Sequence, residues 1–218
     1  MKNNLWVRWT SANALAELLG LGATFATIGF LLSRIDTQGM TGILLSFAAA
    51  VLSGAIEATV VGRAQGWAMK PWFPKINRFA WWRATLIGAL AAYGLGYLPS
   101  TLMSMGEAAT QTAPVEPPQW LTLLLAAGLG AVAGAILSFA QWRVLRGHVK
   151  RAGLWIPANM LAWAVGMPVI FFGMDVAFKM PETWQAVGIV GAALLVAGAS
   201  VGAIHGRFLV ILEREKIA

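Results

Sequence analysis

Six long apolar stretches dominate this sequence, and they restrict how the chain can fold more than any other feature. Each is about 20 residues or longer, which is the length that an α-helix needs to cross the hydrocarbon core of a bilayer. The composition agrees, because only 11% of the residues are charged, whereas soluble domains carry about 25%. We therefore predict an all-α integral membrane protein of a single domain. The predicted transmembrane helices span residues 9–33, 40–62, 80–100, 120–145, 155–178 and 183–212.

The connections between these helices differ in character. Residues 63–83 combine tryptophan, proline and basic side chains, which is typical of a loop that lies on the membrane surface. Residues 101–118 contain three prolines and are expected to form the longest loop, and Pro168 is expected to kink the fifth helix. The candidate residues for contact with lipid headgroups are Lys70, Trp72, Lys75 and Arg78.

The distribution of basic residues predicts the orientation. Six spans place both termini on one side, and of the 16 Lys and Arg residues only Arg34 and Lys179 fall on the other side. The positive-inside rule then predicts cytoplasmic termini. Eight tryptophans near the same boundary are expected to anchor the chain there, and this basic face is expected to attract anionic lipids. Because orientation explains the net charge of +7, we expect no nucleic-acid partner.

The even-numbered helices share a pattern of small residues at every fourth position, and the odd-numbered helices open on a common motif. Together they predict three tandem hairpin repeats around a pseudo-threefold axis along the membrane normal. The alternative is that glycine and alanine are simply common in membrane helices. The aligned even segments are GAIEATVVGRAQ (54–65), GAVAGAILSFAQ (130–141) and GASVGAIHGRFL (198–209). The odd motifs are Trp9-x-x-Ala12-Asn13, Trp81-x-x-Ala84-Thr85 and Trp155-x-x-Ala158-Asn159.

Small residues at this spacing form a flat strip along one side of a helix. Lipid tails are as apolar as leucine, so membrane helices associate through close packing rather than through exclusion from water. We therefore expect the second, fourth and sixth helices to contact other helices through these strips.

Polar side chains within the spans concentrate in the half nearer the termini. A charge at the centre of a span costs about 2.5–3.5 kcal/mol on insertion scales, so each such residue needs a partner or a role. We predict a cavity on the cytoplasmic side, lined by Asn13, Glu17, Glu57, Asn159 and His205, with Arg63 and Arg207 at its mouth. Two structural alternatives stay open: the acidic residues pair with these arginines, or the asparagines and the histidine hydrogen-bond between helices.

The sequence indicates no cofactor and no metal. It contains no cysteine, which excludes disulfides and thiolate ligands. Only one of the two histidines falls within a span, which argues against a haem held by two histidines. We find no nucleotide-binding loop, no metalloprotease motif and no nucleophile elbow, so an enzyme acting on lipid headgroups is the weakest functional hypothesis.

Two segments carry a resemblance. GRAQGWAMKPWFP and SFAQWRVLRGHVKRAGLWIPANMLAWAVGMPVIF contain Ala-Gln-Trp-x-Val-Leu-Arg and Trp-Ile-Pro-Ala-Asn runs. In these runs the chain resembles small multi-span bacterial membrane proteins of no assigned activity, over about two thirds of its length. It departs from them in the first repeat, where Gly66 separates Gln65 from Trp67. The resemblance implies a bacterial inner membrane and no particular chemistry.

The leading functional hypothesis is a transporter or channel-like protein for a small solute or ion. Carboxyl groups withdrawn from water can exchange protons near neutral pH, which would suit the acidic residues for this role. The alternative is a membrane scaffold that binds lipid or protein, with the segment of residues 66–82 as its contact surface. The sequence leaves open whether the chain forms a homo-oligomer or binds a protein partner.

Overall fold

The computed structural model describes residues 4–37, 39–110 and 117–217. These ranges contain six long α-helices and one short 3-10 helix, Ala152–Leu154, and no β-strand. All six α-helices are long and apolar enough to cross a membrane, which confirms the prediction of an all-α protein with six spans. The helices are α1 (Asn4–Leu32), α2 (Gly39–Met69), α3 (Arg78–Thr110), α4 (Gln119–Leu145), α5 (Trp155–Phe178) and α6 (Thr183–Glu213).

Helices α2 and α3 extend well beyond their predicted ends. The predicted end of α2 at residue 62 was wrong, because the helix continues past Arg63 to Met69. The 31 residues of α2 measure about 46 Å at 1.5 Å per residue, which exceeds the roughly 30 Å of the hydrocarbon core. The basic side chain of Arg63 therefore does not mark the end of α2. Part of the expected loop of residues 101–118 is also helical, as far as Thr110, and residues 111–116 lie outside the described ranges.

The six helices form a closed ring. Each packs against the helix before it and the helix after it, and α1 packs against α6. One end of the ring, here called the basic end, carries the start of α1, the connections of residues 70–77 and 146–154, and residues 214–217. The opposite end carries residues 33–37 and 179–182. Pro99 and Pro168 lie inside α3 and α5, and both helices continue across them.

Glycines on the even helices set the spacing of the ring. A Cβ added at Gly62 of α2 would lie 3.1 Å from Thr85 Cβ on α3, and one added at Gly134 of α4 would lie 2.5 Å from the Asn159 carbonyl oxygen on α5. A Cβ added at Gly202 of α6 would likewise lie too close to α1. The backbones touch because no side chain separates them, which is the contact that the small-residue spacing predicts.

The basic end is closed by a hydrophobic cap. Phe73 and Ile76 are each only 2% exposed and pack with Val149, Leu209 and Leu212. The expectation of a loop lying on the membrane surface was therefore wrong, because the middle of this connection folds over the end of the ring. The chain beyond α6 holds the cap in place, since the backbone N–H of residue 150 donates to the carbonyl of residue 215.

The outer surface of the ring is apolar, in contrast to the buried polar residues inside it. Large hydrophobic side chains such as Leu19, Leu52 and Phe172 are exposed by more than half of their area. The buried polar residues instead face one another inside the ring. This arrangement is the one expected of a bundle whose solvent is lipid.

The glycine contacts generate a prediction on a matched pair within α4. We expect Gly134→Ala to destabilise the protein by about 1–3 kcal/mol, because the methyl group meets the α5 backbone and overpacks the interface. Gly128→Ala has open space around the new methyl group and is expected to leave stability unchanged or slightly raised. Thermal unfolding of the purified variants in detergent measures both. Equal effects of the two substitutions would contradict the close approach.

Candidate functional site

Three tryptophans meet inside the ring just below the cap. Trp9, Trp81 and Trp155 come from the first two turns of α1, α3 and α5, and each is fully buried. Their ring centroids form a triangle with sides of 6.4, 5.9 and 5.9 Å. The expectation that these three act as anchors at the lipid boundary was wrong. They close the centre of the ring instead, because an odd helix directs this position inwards.

Each indole of this tryptophan triangle donates a hydrogen bond to a neighbouring even helix. Trp81 Nε1 donates to Gln65 Oε1 over 3.1 Å, and Trp155 Nε1 donates to Gln141 Oε1 over 2.8 Å. Trp9 Nε1 donates to Nδ1 of His205 over 2.8 Å. An imidazole that accepts at Nδ1 carries its proton at Nε2 when it is neutral. His205 therefore forms a hydrogen bond between α1 and α6.

One turn further from the basic end lies a layer of polar side chains. Asn13, Thr85 and Asn159 each donate to the carbonyl oxygen four residues earlier in the same helix. Asn13 Oδ1 also accepts from Gln65 Nε2, and Thr85 Oγ1 accepts from Gln141 Nε2. These bonds connect four neighbouring helices and satisfy polar groups that would be costly without partners. For Asn13, the structural alternative of a bridge between helices holds.

The acidic residues Glu17 and Glu57 lie beyond this layer, side by side across the contact of α1 and α2. They are only 2% and 8% exposed. Gly20 allows the approach, because a Cβ there would lie 3.0 Å from Glu57 Cα. Tyr93 of α3 donates its hydroxyl to Glu57 Oε2, whereas Glu17 Oε2 has no hydrogen-bond partner among the described residues. We call these two side chains the acidic pair.

The acidic pair has no buried countercharge. None of the lysines and arginines in the described ranges is buried, and the buried His205 accepts a hydrogen bond at Nδ1, as a neutral imidazole does. Arg63 and Arg207 are exposed, and their guanidinium groups lie 5.7 Å and 4.7 Å from the rings of Trp82 and Trp6. A buried unpaired charge is very costly. The pair must therefore hold a proton or a cation that comes from outside the chain.

Two cavities meet at Glu57. The smaller, about 20 Å³, lies among the polar layer and the acidic pair, and it is large enough for a water molecule. The larger, about 230 Å³, lies further from the basic end among α1 to α5. Four residues line both cavities: Glu57, Ala89, Leu137 and Trp163. Glu57 therefore faces the polar interior on one side and a mainly apolar chamber on the other.

The structure brings some of the predicted site residues together and separates others. Asn13, Glu17, Glu57, Asn159 and His205 all line the smaller cavity. Arg63 and Arg207 do not join them. Among the proposed headgroup residues, Lys75 and Arg78 are exposed, Lys70 Nζ donates to the Pro74 carbonyl, and Trp72 is partly buried. The larger cavity differs from the expected vestibule, since it is mostly apolar and lies deeper in the ring.

Sequence reasoning did not identify Tyr93 as part of the site. One signal was present: Tyr93 and Tyr97 are the only tyrosines of the chain, and they stand four residues apart on one helix. It also took the tryptophans of the triangle for surface residues. Their shared place in the repeated Trp-x-x-Ala motif was the available signal, because independent anchors have no reason to keep a fixed distance from a polar residue.

The buried network predicts a non-additive pair of substitutions. Gln141→Leu leaves the Trp155 indole N–H without its acceptor, and we expect it to destabilise the protein by about 1–3 kcal/mol. Adding Trp155→Phe removes that donor. The double variant should therefore lower the free energy of unfolding by less than the sum of the two single effects. Unfolding in detergent measures the cycle, and Trp184→Phe, at a residue 72% exposed, is the control. Simple additivity would show that the hydrogen bond contributes little.

No protein-family model matches the chain, and none of the curated proteins or solved structures compared with it is significantly similar.

Proposed function

We propose that this chain is a membrane transport protein that moves a small solute or ion through the interior of the ring, with the acidic pair as its exchangeable binding group. The observation that carries the proposal is a pair of buried carboxyl groups without a countercharge, placed where two cavities meet. Ionisable side chains inside a membrane protein are costly to bury and typically mark the pathway of a solute, an ion or a proton.

The rest of the interior supports this division of roles. The asparagines, the glutamines and His205 have hydrogen-bond partners on their own or neighbouring helices, so the network that they form is structural. Among the described residues, Thr10, Glu17, Ser46 and Gln185 each have a buried side-chain oxygen atom without a partner, and Glu17 is the one acidic residue of this set. An unsatisfied acceptor beside a second acid is a site that a proton or cation can occupy.

The setting of the proposal is a bacterial inner membrane, by the resemblance of the Ala-Gln-Trp and Trp-Ile-Pro-Ala-Asn segments. The basic end would face the cytoplasm, following the positive-inside rule, with both termini on that side. The ring would consist of three tandem hairpin repeats, and the nearly equal sides of the tryptophan triangle support this. In this conformation the cap and the tryptophan triangle would separate the acidic pair from the cytoplasm.

Proton movement through the reconstituted protein tests the proposal. Vesicles that contain the full chain, an internal pH-sensitive dye, potassium and valinomycin receive a step in external pH. We expect the internal pH to follow faster than in protein-free vesicles, and Glu57→Gln to abolish the difference, because an amide cannot release a proton. Glutamine keeps the acceptor for the Tyr93 hydroxyl, so the fold should survive.

The matched control is Glu182→Gln, which changes an exposed carboxyl group at the start of α6, far from both cavities. It should leave the proton flux unchanged. Equal flux in the unsubstituted protein and in Glu57→Gln would remove the acidic pair from the transport mechanism and overturn the proposal.

A second candidate function, a scaffold that binds anionic lipid, is favoured by the rim of the basic end. There Arg8 lies 3.7 Å from the centre of the Trp67 ring, and Lys75 and Arg78 are exposed beside the cap. Paired cationic and aromatic groups are typical of a membrane interface.

Lipid retention tests this second candidate. The double variant Lys75→Gln and Arg78→Gln should retain less anionic lipid after purification, as measured by native mass spectrometry, because each basic residue near an anionic surface contributes about 1 kcal/mol. Lys179→Gln, at the opposite end of the ring, serves as the control. Equal lipid retention in all variants would exclude a specific headgroup site at residues 75 and 78.

A further inference from the structure

The larger cavity indicates what the ring would carry. Building on the proposed transport function, we infer that this cavity binds a small organic cation, with a quaternary or protonated ammonium group against the Glu57 carboxylate and its apolar part against the aromatic wall. The juxtaposition of one buried acid and several aromatic faces around the same space carries the inference.

The volume limits the size of the ligand. The cavity measures about 230 Å³, below the roughly 300–1,000 Å³ of pockets for drug-sized molecules. A water molecule occupies about 30 Å³ of liquid, so the space suits one small organic molecule rather than a long lipid chain. Glu57 is the one acidic residue among the described residues that line it.

The walls supply the surface that an organic cation prefers. Tyr93 and Tyr97 lie with their ring centroids 5.9 Å apart, and Phe25, Trp163 and Phe171 line other parts of the same space. The face of an aromatic ring carries negative partial charge and attracts ammonium groups, most strongly where water is absent. Five aromatic side chains around one carboxyl group therefore suit an ammonium group.

Other classes of ligand fit the cavity less well. A neutral apolar solute would make no use of a carboxyl group that can release its proton, and an anion would find no buried lysine or arginine to pair with. Calcium and magnesium need six or more oxygen ligands, including water, at close to ideal geometry. The described residues contain no group of three or more acidic, histidine or cysteine side chains that could hold a metal ion.

Cation binding would be coupled to proton release. In the empty ring the carboxyl group of Glu57 holds its proton, so the interior is neutral. When the cation enters, the O–H bond of Glu57 breaks, the proton leaves to water, and the carboxylate pairs with the ammonium group. One proton leaves for each cation that binds, so the charge of the interior does not change. Glu17 keeps its own proton and lies beside the pair.

Calorimetry with an isosteric pair of probes tests the ligand class. Choline and 3,3-dimethylbutanol have nearly the same shape, but only choline is charged. We expect the full chain in nanodiscs to bind choline at least about tenfold more tightly than the alcohol, because only the charged probe can pair with the Glu57 carboxylate. In Glu57→Gln, choline affinity should fall to that of the alcohol.

Proton release is measured in the same experiment. Titrations in two buffers of different ionisation enthalpy should show about one proton released per choline bound to the unsubstituted protein. Glu57→Gln should show none, because it has no proton to release at this position. Glu182→Gln should behave as the unsubstituted protein does.

A second pair of variants tests the cavity without altering a charge. Gly96 lines the cavity and Gly94 does not, yet both lie on α3 with open space around an added Cβ. Gly96→Leu should fill the chamber and abolish choline binding, whereas Gly94→Leu should leave it unchanged. Because an added Cβ meets no neighbour at either position, both variants are expected to fold.

The outcomes separate this inference from the transport proposal. Equal affinity for the two probes would overturn the inference that the cavity binds a small organic cation. Choline binding that survives both Glu57→Gln and Gly96→Leu would do the same. If proton flux still depends on Glu57 in that case, transport stands and only the ligand class is wrong. If choline binds as expected but proton flux does not depend on Glu57 even when choline is supplied on one side of the vesicle membrane, the binding site stands and the transport proposal falls.

Discussion

The ring depends on direct contact between helix backbones at glycine. Gly134 and Gly202 show how close this contact is, because an added methyl group would meet backbone or Cβ atoms of the next helix within 3 Å. Helices that approach this closely leave a narrow interior. Only planar or small groups fit there, which is why three indoles and a few amides fill the half near the basic end. The close packing of neighbouring helices at glycine therefore limits which side chains fit in the interior.

In a narrow interior, every polar side chain needs a hydrogen-bond partner. The amides and hydroxyls of the polar layer meet this need through hydrogen bonds between neighbouring helices. Two carboxyl groups cannot satisfy each other in the same way while both are charged, because their repulsion adds to the cost of burial. Glu17 and Glu57 are therefore the part of the interior that the fold itself leaves incomplete, and a proton or a cation completes it.

The sequence was sufficient to predict the six spans, because length and hydrophobicity alone determine them. It was also sufficient to select Glu17 and Glu57, since an acid within a span is unusual wherever it lies. It could not predict the cap, because Phe73 and Ile76 look like ordinary residues of an interfacial loop until the end of the ring is seen beneath them. Nor could it assign Arg63, since a long basic side chain can reach outwards from a helix as easily as inwards. The sequence did not show in which direction each side chain points around its helix axis.

Differences among the three aligned segments explain where the larger cavity lies. The positions aligned with Glu57 are Ala133 and Val201, and the positions aligned with Glu17, counted from the opening tryptophans, are Ala89 and Trp163. Ala89 and Ala133 both line the larger cavity. Space therefore opens where alanine stands in place of an acid, on the side of the ring formed by α3 and α4. A strictly repeated interior would have either three acidic pairs, which could not be neutralised together, or none. By carrying acid in one sector and alanine in the next, the chain places a carboxyl group directly beside an open space.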